Sequence, residues 1–179
     1  MTAIALLVID MLNAYEHEDA DALAASVTDV LAPLSGLIDR ARERDDVDVI
    51  YVNDNYGDFT ASRNDIVHQA VGGARPDLVK PIVPDAGWPF LEKVRHSAFY
   101  ATSLEYLLTR LKTKSIILTG QVTEQCILYT ALDAYIRHFD VTVPSDAVAH
   151  IDAELGKAAL RMMQSNMRAT VVSAADCLR

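Results

Sequence analysis

Cysteine is nearly missing from this chain. Only Cys126 and Cys177 occur in 179 residues, too few for a disulfide framework and without a paired-thiol spacing, so a reducing cytoplasm is the simplest setting. Positive charge is also short: 16 Lys and Arg stand against 25 Asp and Glu, for a formal charge of -9. No basic run gathers that could track phosphates, so nucleic acid is not expected as a partner. Long apolar runs are lacking as well. The N-terminal MTAIALLVIDML has no basic leader and is interrupted by Asp10, well short of the roughly 20 apolar residues that cross a bilayer. It reads as a first strand, and no membrane partner is expected. Glycine and proline number only 7 and 6, while 51% of residues are hydrophobic. A chain of that length and composition can bury one core, and residues 1–179 read as one domain with no repeat, low-complexity tract or linker.

What is present is an alternation of short apolar runs with longer helical patterns. IALLVID (Ile4 to Asp10), VDVIYVN (Val47 to Asn53), SIILTG (Ser115 to Gly120), DVTVP (Asp140 to Pro144) and RATVVS (Arg168 to Ser173) are near-continuous apolar strands of the kind buried on both faces. Helices are expected over 20–44, 103–112, 124–137 and 153–165. The β-α-β order implies an α/β fold in three layers: a doubly wound, mostly parallel sheet with helices on both faces. Residues 54–96, rich in Gly, Pro, Asp and Asn, are irregular and too long for a plain connection. Such a segment usually builds a site.

In open α/β sheets ligands bind beyond the carboxyl ends of the strands. Three places qualify: Asp10 after the first strand, Asn53 and Asp54 at the end of the second, and the turn at Gly120 that leads to Cys126. With Thr123 as N-cap, Cys126 falls in a first helical turn, where free amides and the helix dipole favour a thiolate. Each residue alone also has an ordinary structural reading. A cysteine followed by ILYTALDAYI can be a small core side chain, Asp10 a turn aspartate and Lys93 a solvated lysine.

Taken together, LLVIDMLNAY around Asp10, KVRHSAF around Lys93 and ILTGQVTEQCILYTALDA around Cys126, followed by VPSDAVA, resemble the isochorismatase-like cysteine hydrolases, which include nicotinamidases and N-carbamoylsarcosine amidase. The likeness runs over most of the chain. It implies a catalytic triad of Asp10, Lys93 and Cys126, an oxyanion held by the backbone amides of Val122 and Cys126, and a cis peptide between Gln121 and Val122. It also implies cleavage of the C–N bond of a small amide or carbamoyl compound through a thioester, and assembly into a homo-oligomer. Leu12 and Tyr15 stand where the family commonly has Gln and Phe. Nicotinamidases place an Asp and His metal pair after the second strand, where this chain matches them with Asn53 and Asn55, so no metal or other cofactor is expected. RHSAF also resembles the RYSAF of isochorismatases, which leaves vinyl ether hydrolysis as an alternative; a catalytically silent ligand-binding protein of the same fold is another.

A small-molecule substrate is expected to meet an aromatic wall drawn from Tyr15, Trp88, Phe99 and Tyr100, with Tyr56 nearby. Asp146 and His150 read as a turn aspartate and a solvated histidine, and Cys177 as inert.

Overall fold

The structure, a computed structural model, describes residues 3–179. The apolar runs form the strands β1 (Ala3–Ile9), β2 (Val47–Asp54), β4 (Thr113–Gln121), β5 (Asp140–Pro144) and β7 (Thr170–Val172). Two further strands are β3 (Phe90–Lys93) and the two-residue β6 (Val148–Ala149). All pairings are parallel, in the order β3-β2-β1-β4-β5-β7 with β6 beside β4. Parallel strands need crossovers, and the helices supply them: α1 (Ala20–Arg42), α2 (Arg63–Gly72), α3 (Pro76–Val79), α4 (Leu104–Leu111), α5 (Leu128–Ile136) and α6 (Ala153–Asn166).

Alternation along β1 sorts the core into two. Leu6 and Val8 face Leu23, Val27, Leu34, Ile66 and Leu78 from α1, α2 and α3. Ala5, Leu7 and Ile9 face Leu104, Leu108, Ala131, Ala134 and Met163 from α4, α5 and α6. Each such aliphatic side chain contributes about 1.5–3 kcal/mol on burial, and β1, covered on both faces, is the hydrophobic centre. Among the described residues α1 is the one helix long and apolar enough by composition to cross a membrane. Its apolar stripe, including Leu23, Val27, Leu34 and Leu37, is buried.

The segment expected to be irregular holds regular structure. Helix α2 begins with a capping box in which Ser62 and Asp65 satisfy each other's backbone amides, and residues 90–93 add an edge strand. Both elements are short, and four-residue β3 is partly exposed, which removes the apolar period that marks the other strands. Arg168 lies at a positive φ of 56°, so the last strand begins two residues later than the apolar pattern suggests.

The close approach of β4 to β1 depends on Gly120. Its φ is +108°, and a Cβ there would collide with the Ile9 carbonyl. Gly120→Ala is therefore expected to lower stability by more than about 2 kcal/mol, read as a shift in the denaturant midpoint. A change below about 0.5 kcal/mol would contradict this packing.

Candidate active site

Strand order gathers the site. β1 lies between β2 and β4, with Ile9 paired to Val52 on one side and to Gly120 on the other. The residue after Ile9 is Asp10, which turns into the left-handed region at φ 55° and sits between whatever leaves β2 and whatever leaves β4. On the β2 side, Asp54 is in register with Lys93 of β3. On the β4 side, the chain passes through a cis Gln121–Val122 peptide into a wide π-type turn, Thr123–Ile127, that carries Cys126. Such wide turns recur at functional sites. The expected N-cap does not form: Val122 precedes the turn without a side-chain cap, and the Thr123 hydroxyl instead donates to the Ala149 carbonyl at 2.9 Å.

The three side chains meet in the interior. Lys93, 1% exposed, places Nζ 2.8 Å from Asp10 Oδ2 and 3.6 Å from Asp54 Oδ2. The same ammonium donates to Cys126 Sγ at 3.6 Å. Asp10 Oδ1 accepts the Asp54 amide at 2.8 Å, and the Asp10 carbonyl accepts Gln121 Nε2 at 2.7 Å. Gln121 in turn accepts the Tyr15 hydroxyl at 3.4 Å. The aspartate is therefore fixed by both neighbouring strands before any ligand arrives.

Electrostatics set the protonation pattern. Burial raises the Asp10 carboxyl above its ordinary value, against the opposing pull of Lys93, the Cys126 thiol and the Asp54 amide. Burial disfavours the Lys93 charge, yet attraction to Asp10, Cys126 and Asp54 outweighs it and lifts Lys93 above an ordinary lysine. Burial and then the Asp10 charge push the Cys126 thiol up to about 12, opposed by Lys93 and by the Val122 backbone amide. Burial and the Asp10 charge thus favour a protonated thiol beside the Lys93–Asp10 pair, against the pull towards a thiolate expected of the turn's free amides. The reason is that desolvation and a neighbouring carboxylate exceed what one wide turn of backbone amides can offset.

Such a cluster can pass the thiol proton to a carboxylate that already binds protons more tightly than usual. The Val122 amide faces the same sulfur, the position from which a backbone N–H can meet a developing oxyanion.

The aromatic wall is largely elsewhere. Tyr15 is buried and bonded to Gln121, as described. Trp88 precedes β3 at its opposite end, stacked on Tyr51 at 6.1 Å with Arg42 over its ring, because β3 is read from Phe90 beside Tyr51 to Lys93 beside Asp54. Phe99 is a core side chain against Phe139. Tyr100 is 58% exposed and lines an open surface hollow with Arg95, His96, Ser97, Tyr129, Leu132 and Asp133. Trp88 and Phe99 are therefore packing residues, while Tyr56 bonds the Leu12 carbonyl at 2.8 Å. Asp146 accepts the Ala174 amide and His150 pairs with Ser26, so each is engaged outside the Asp10–Lys93–Cys126 cluster.

A metal pair of the nicotinamidase kind does not fit here. Asn53 is spent on Leu12, accepting its amide and donating to its carbonyl, and Asn55 accepts the Gly57 amide. Among the described residues no group of three or more His, Cys, Asp or Glu is arranged to hold a metal.

Two neighbours of the cluster carry little signal in the sequence. Asp54 was visible as a strand-end residue, but its approach to Lys93 depends on the unrecognised β3. His96 Nδ1 lies 3.7 Å from Cys126 Sγ; its signal is only its place three residues after Lys93.

The class of protein defined by this fold is an α/β protein with a seven-stranded parallel sheet, at whose carboxyl end Asp10, Lys93 and Cys126 converge. The Isochorismatase domain matches residues 4–176. The chain is 35% identical over 169 residues to the uncharacterized isochorismatase family protein YaaI of Bacillus subtilis, covering 94% of this chain and 93% of that protein. It is 29% identical over 152 residues to maleamate amidohydrolase of Pseudomonas putida, covering 80% and 71%. In fold it is similar to N-carbamoylsarcosine amidase from Thermoplasma acidophilum, with a TM-score of 0.77, 25% identity and coverage of 99% and 100%. The protein belongs to the isochorismatase family and is a hydrolase.

Proposed function

We propose that this hydrolase is a metal-independent cysteine amidohydrolase that cleaves the C–N bond of a small amide or carbamoyl compound through a thioester on Cys126. The observation that carries this reading is the buried contact of Cys126 Sγ with Lys93 Nζ at 3.6 Å, itself ion-paired to Asp10 at 2.8 Å. Maleamate amidohydrolase, N-carbamoylsarcosine amidase and the ureidoacrylate amidohydrolases support amide chemistry.

The steps follow from the groups present. Cys126 gives its proton to Asp10 as the sulfur bonds to the carbonyl carbon. The oxyanion rests on the backbone amides of Val122 and Cys126, and Lys93 offsets the negative charge that the thiolate and carboxylate share. Asp10 then returns the proton to the nitrogen, the C–N bond breaks and ammonia or an amine leaves. Water loses a proton to Asp10 and attacks the thioester, and Asp10 reprotonates the departing sulfur. Asp10 and Cys126 end as they began.

The test is a panel of maleamate, N-carbamoylsarcosine, ureidoacrylate, nicotinamide and isochorismate, read by ammonia or product release. Ammonia from an amide that depends on Cys126 is the expected result. Turnover of isochorismate alone, undiminished in Cys126→Ala, would replace the reading with ether hydrolysis. Because Asn53 and Asn55 are committed to backbone bonds, dialysis against a chelator is expected to leave the amidase rate unchanged. Loss of activity restored by a divalent metal would refute metal independence.

A further inference from the structure

His96 touches the reacting sulfur and has no part in the steps above. Its Nδ1 lies 3.7 Å from Cys126 Sγ and has no other hydrogen-bond partner among the described residues. The ring is held by Tyr129, with centroids 5.4 Å apart and 30° between planes. His96 is exposed whereas Cys126 is buried, so the imidazole meets the sulfur from the solvent side. Lys93 and Asp10 meet it from the interior. Asp10 also holds Lys93 on Oδ2 and the Asp54 amide on Oδ1, whereas Nδ1, in the tautomer with its proton on Nε2, has only the thiol to accept from.

Resting on the reading of Cys126 as the nucleophile, we propose that His96 is a second general base for that thiol. Nδ1 takes the S–H proton as the C–S bond forms, and the imidazolium gives it to the nitrogen as the C–N bond breaks, leaving no net charge on the site. The thiol then has two routes for its proton, an inner one through Asp10 and an outer one through His96. An imidazole and a thiol at this distance form the pairing that generates a reactive sulfur near neutral pH even where burial opposes a free thiolate. The ring touches Cys126 on the wide turn and Tyr129 on α5, and the other titratable groups lining its hollow are Arg95 and Tyr100 on its own segment and Asp133 on α5. Asp133 is engaged by Ser97 and Arg137.

Iodoacetamide is the probe, because it alkylates the sulfur without needing the natural substrate. In a Cys177→Ser background, the rate of Cys126 alkylation is followed by peptide mass from pH 5 to 10. Because an imidazole facing the sulfur can accept the S–H proton, the rate is expected to reach a level region within that range. His96→Phe keeps a ring on Tyr129 but no base. It is expected to lose the level region, climb continuously with pH, and react at least about tenfold more slowly at pH 7.5. Asp10→Asn is expected to keep the level region. His96→Ala separates proton transfer from simple cover: slower alkylation with no level region supports the proposal, and faster alkylation with the level region intact overturns it. A His96→Phe profile that superimposes on the parent also overturns it, leaving the nucleophile reading untouched. If Cys126 resists alkylation throughout, while Cys177 of the unaltered protein labels, both readings fall.

Discussion

Cys126→Ala is expected to leave a folded protein without measurable amide turnover. The sulfur is the only atom that the cluster can bond to a carbonyl carbon and later release, since Asp10 is spent on proton transfer and Lys93 is held as a cation between two carboxylates. Removing the nucleophile while leaving the oxyanion amides in place is expected to lower kcat by on the order of 10⁴ or more. Stability should change little. The substitution removes one sulfur atom from a residue 7% exposed, and an alanine methyl remains against Ile127 and Ala131 in the same core. Ammonia release and the denaturant midpoint, measured on one preparation, check both halves. Residual turnover within tenfold of the parent would exclude a covalent role for the thiol.

Lys93→Met is expected to damage both the fold and the reaction. The methionine preserves much of the apolar stem but removes the cation that pairs with Asp10, which is 8% exposed. An unpaired buried carboxylate costs about 3–5 kcal/mol, and loss of the charge that offsets the oxyanion and thiolate removes a further contribution to catalysis. The pH dependence has a definite sign. A carboxyl whose folded value is raised binds its proton more tightly when folded, so its stabilisation is present below the unfolded value and is lost as pH rises through the folded one. Without Lys93 the Asp10 carboxyl rises further. The variant should therefore be most destabilised near neutral pH and recover towards the parent in mild acid. Denaturant titrations at pH 4.5 and 7.5 check this; a deficit that grows on acidification would contradict the ion-pair account.

Much of this architecture is legible in the order of the residues. The strands around β1 are apolar without interruption because both their faces are covered, and a run such as IALLVID has few other uses in a soluble domain. Asp10, Lys93 and Cys126 were found through motif order, which encodes which strand ends become neighbours. β3 and α2 were not found, since a four-residue edge strand and a helix with only Ile66 and Ala70 buried carry almost no hydrophobic period. That gap hid the Asp54 contact with Lys93. It also placed Trp88 at the wrong end of the sheet, because without β3 there was no direction in which to run residues 88–93. The pull against a thiolate at Cys126 is hidden for a different reason: helix position is a local property, whereas the Asp10 charge comes from more than a hundred positions away and the burial from strands and helices packed together.

The central claim is a covalent bond between Cys126 and the acyl or carbamoyl carbon of the substrate. Its most direct test is acid quenching during turnover of whichever amide the panel identifies, followed by mass analysis of the peptide that contains Cys126. The account predicts an adduct of the acyl or carbamoyl mass on Cys126, formed with the first equivalent of ammonia and absent from Cys126→Ala. An unmodified Cys126 peptide throughout turnover, together with undiminished ammonia release by Cys126→Ala, would contradict it.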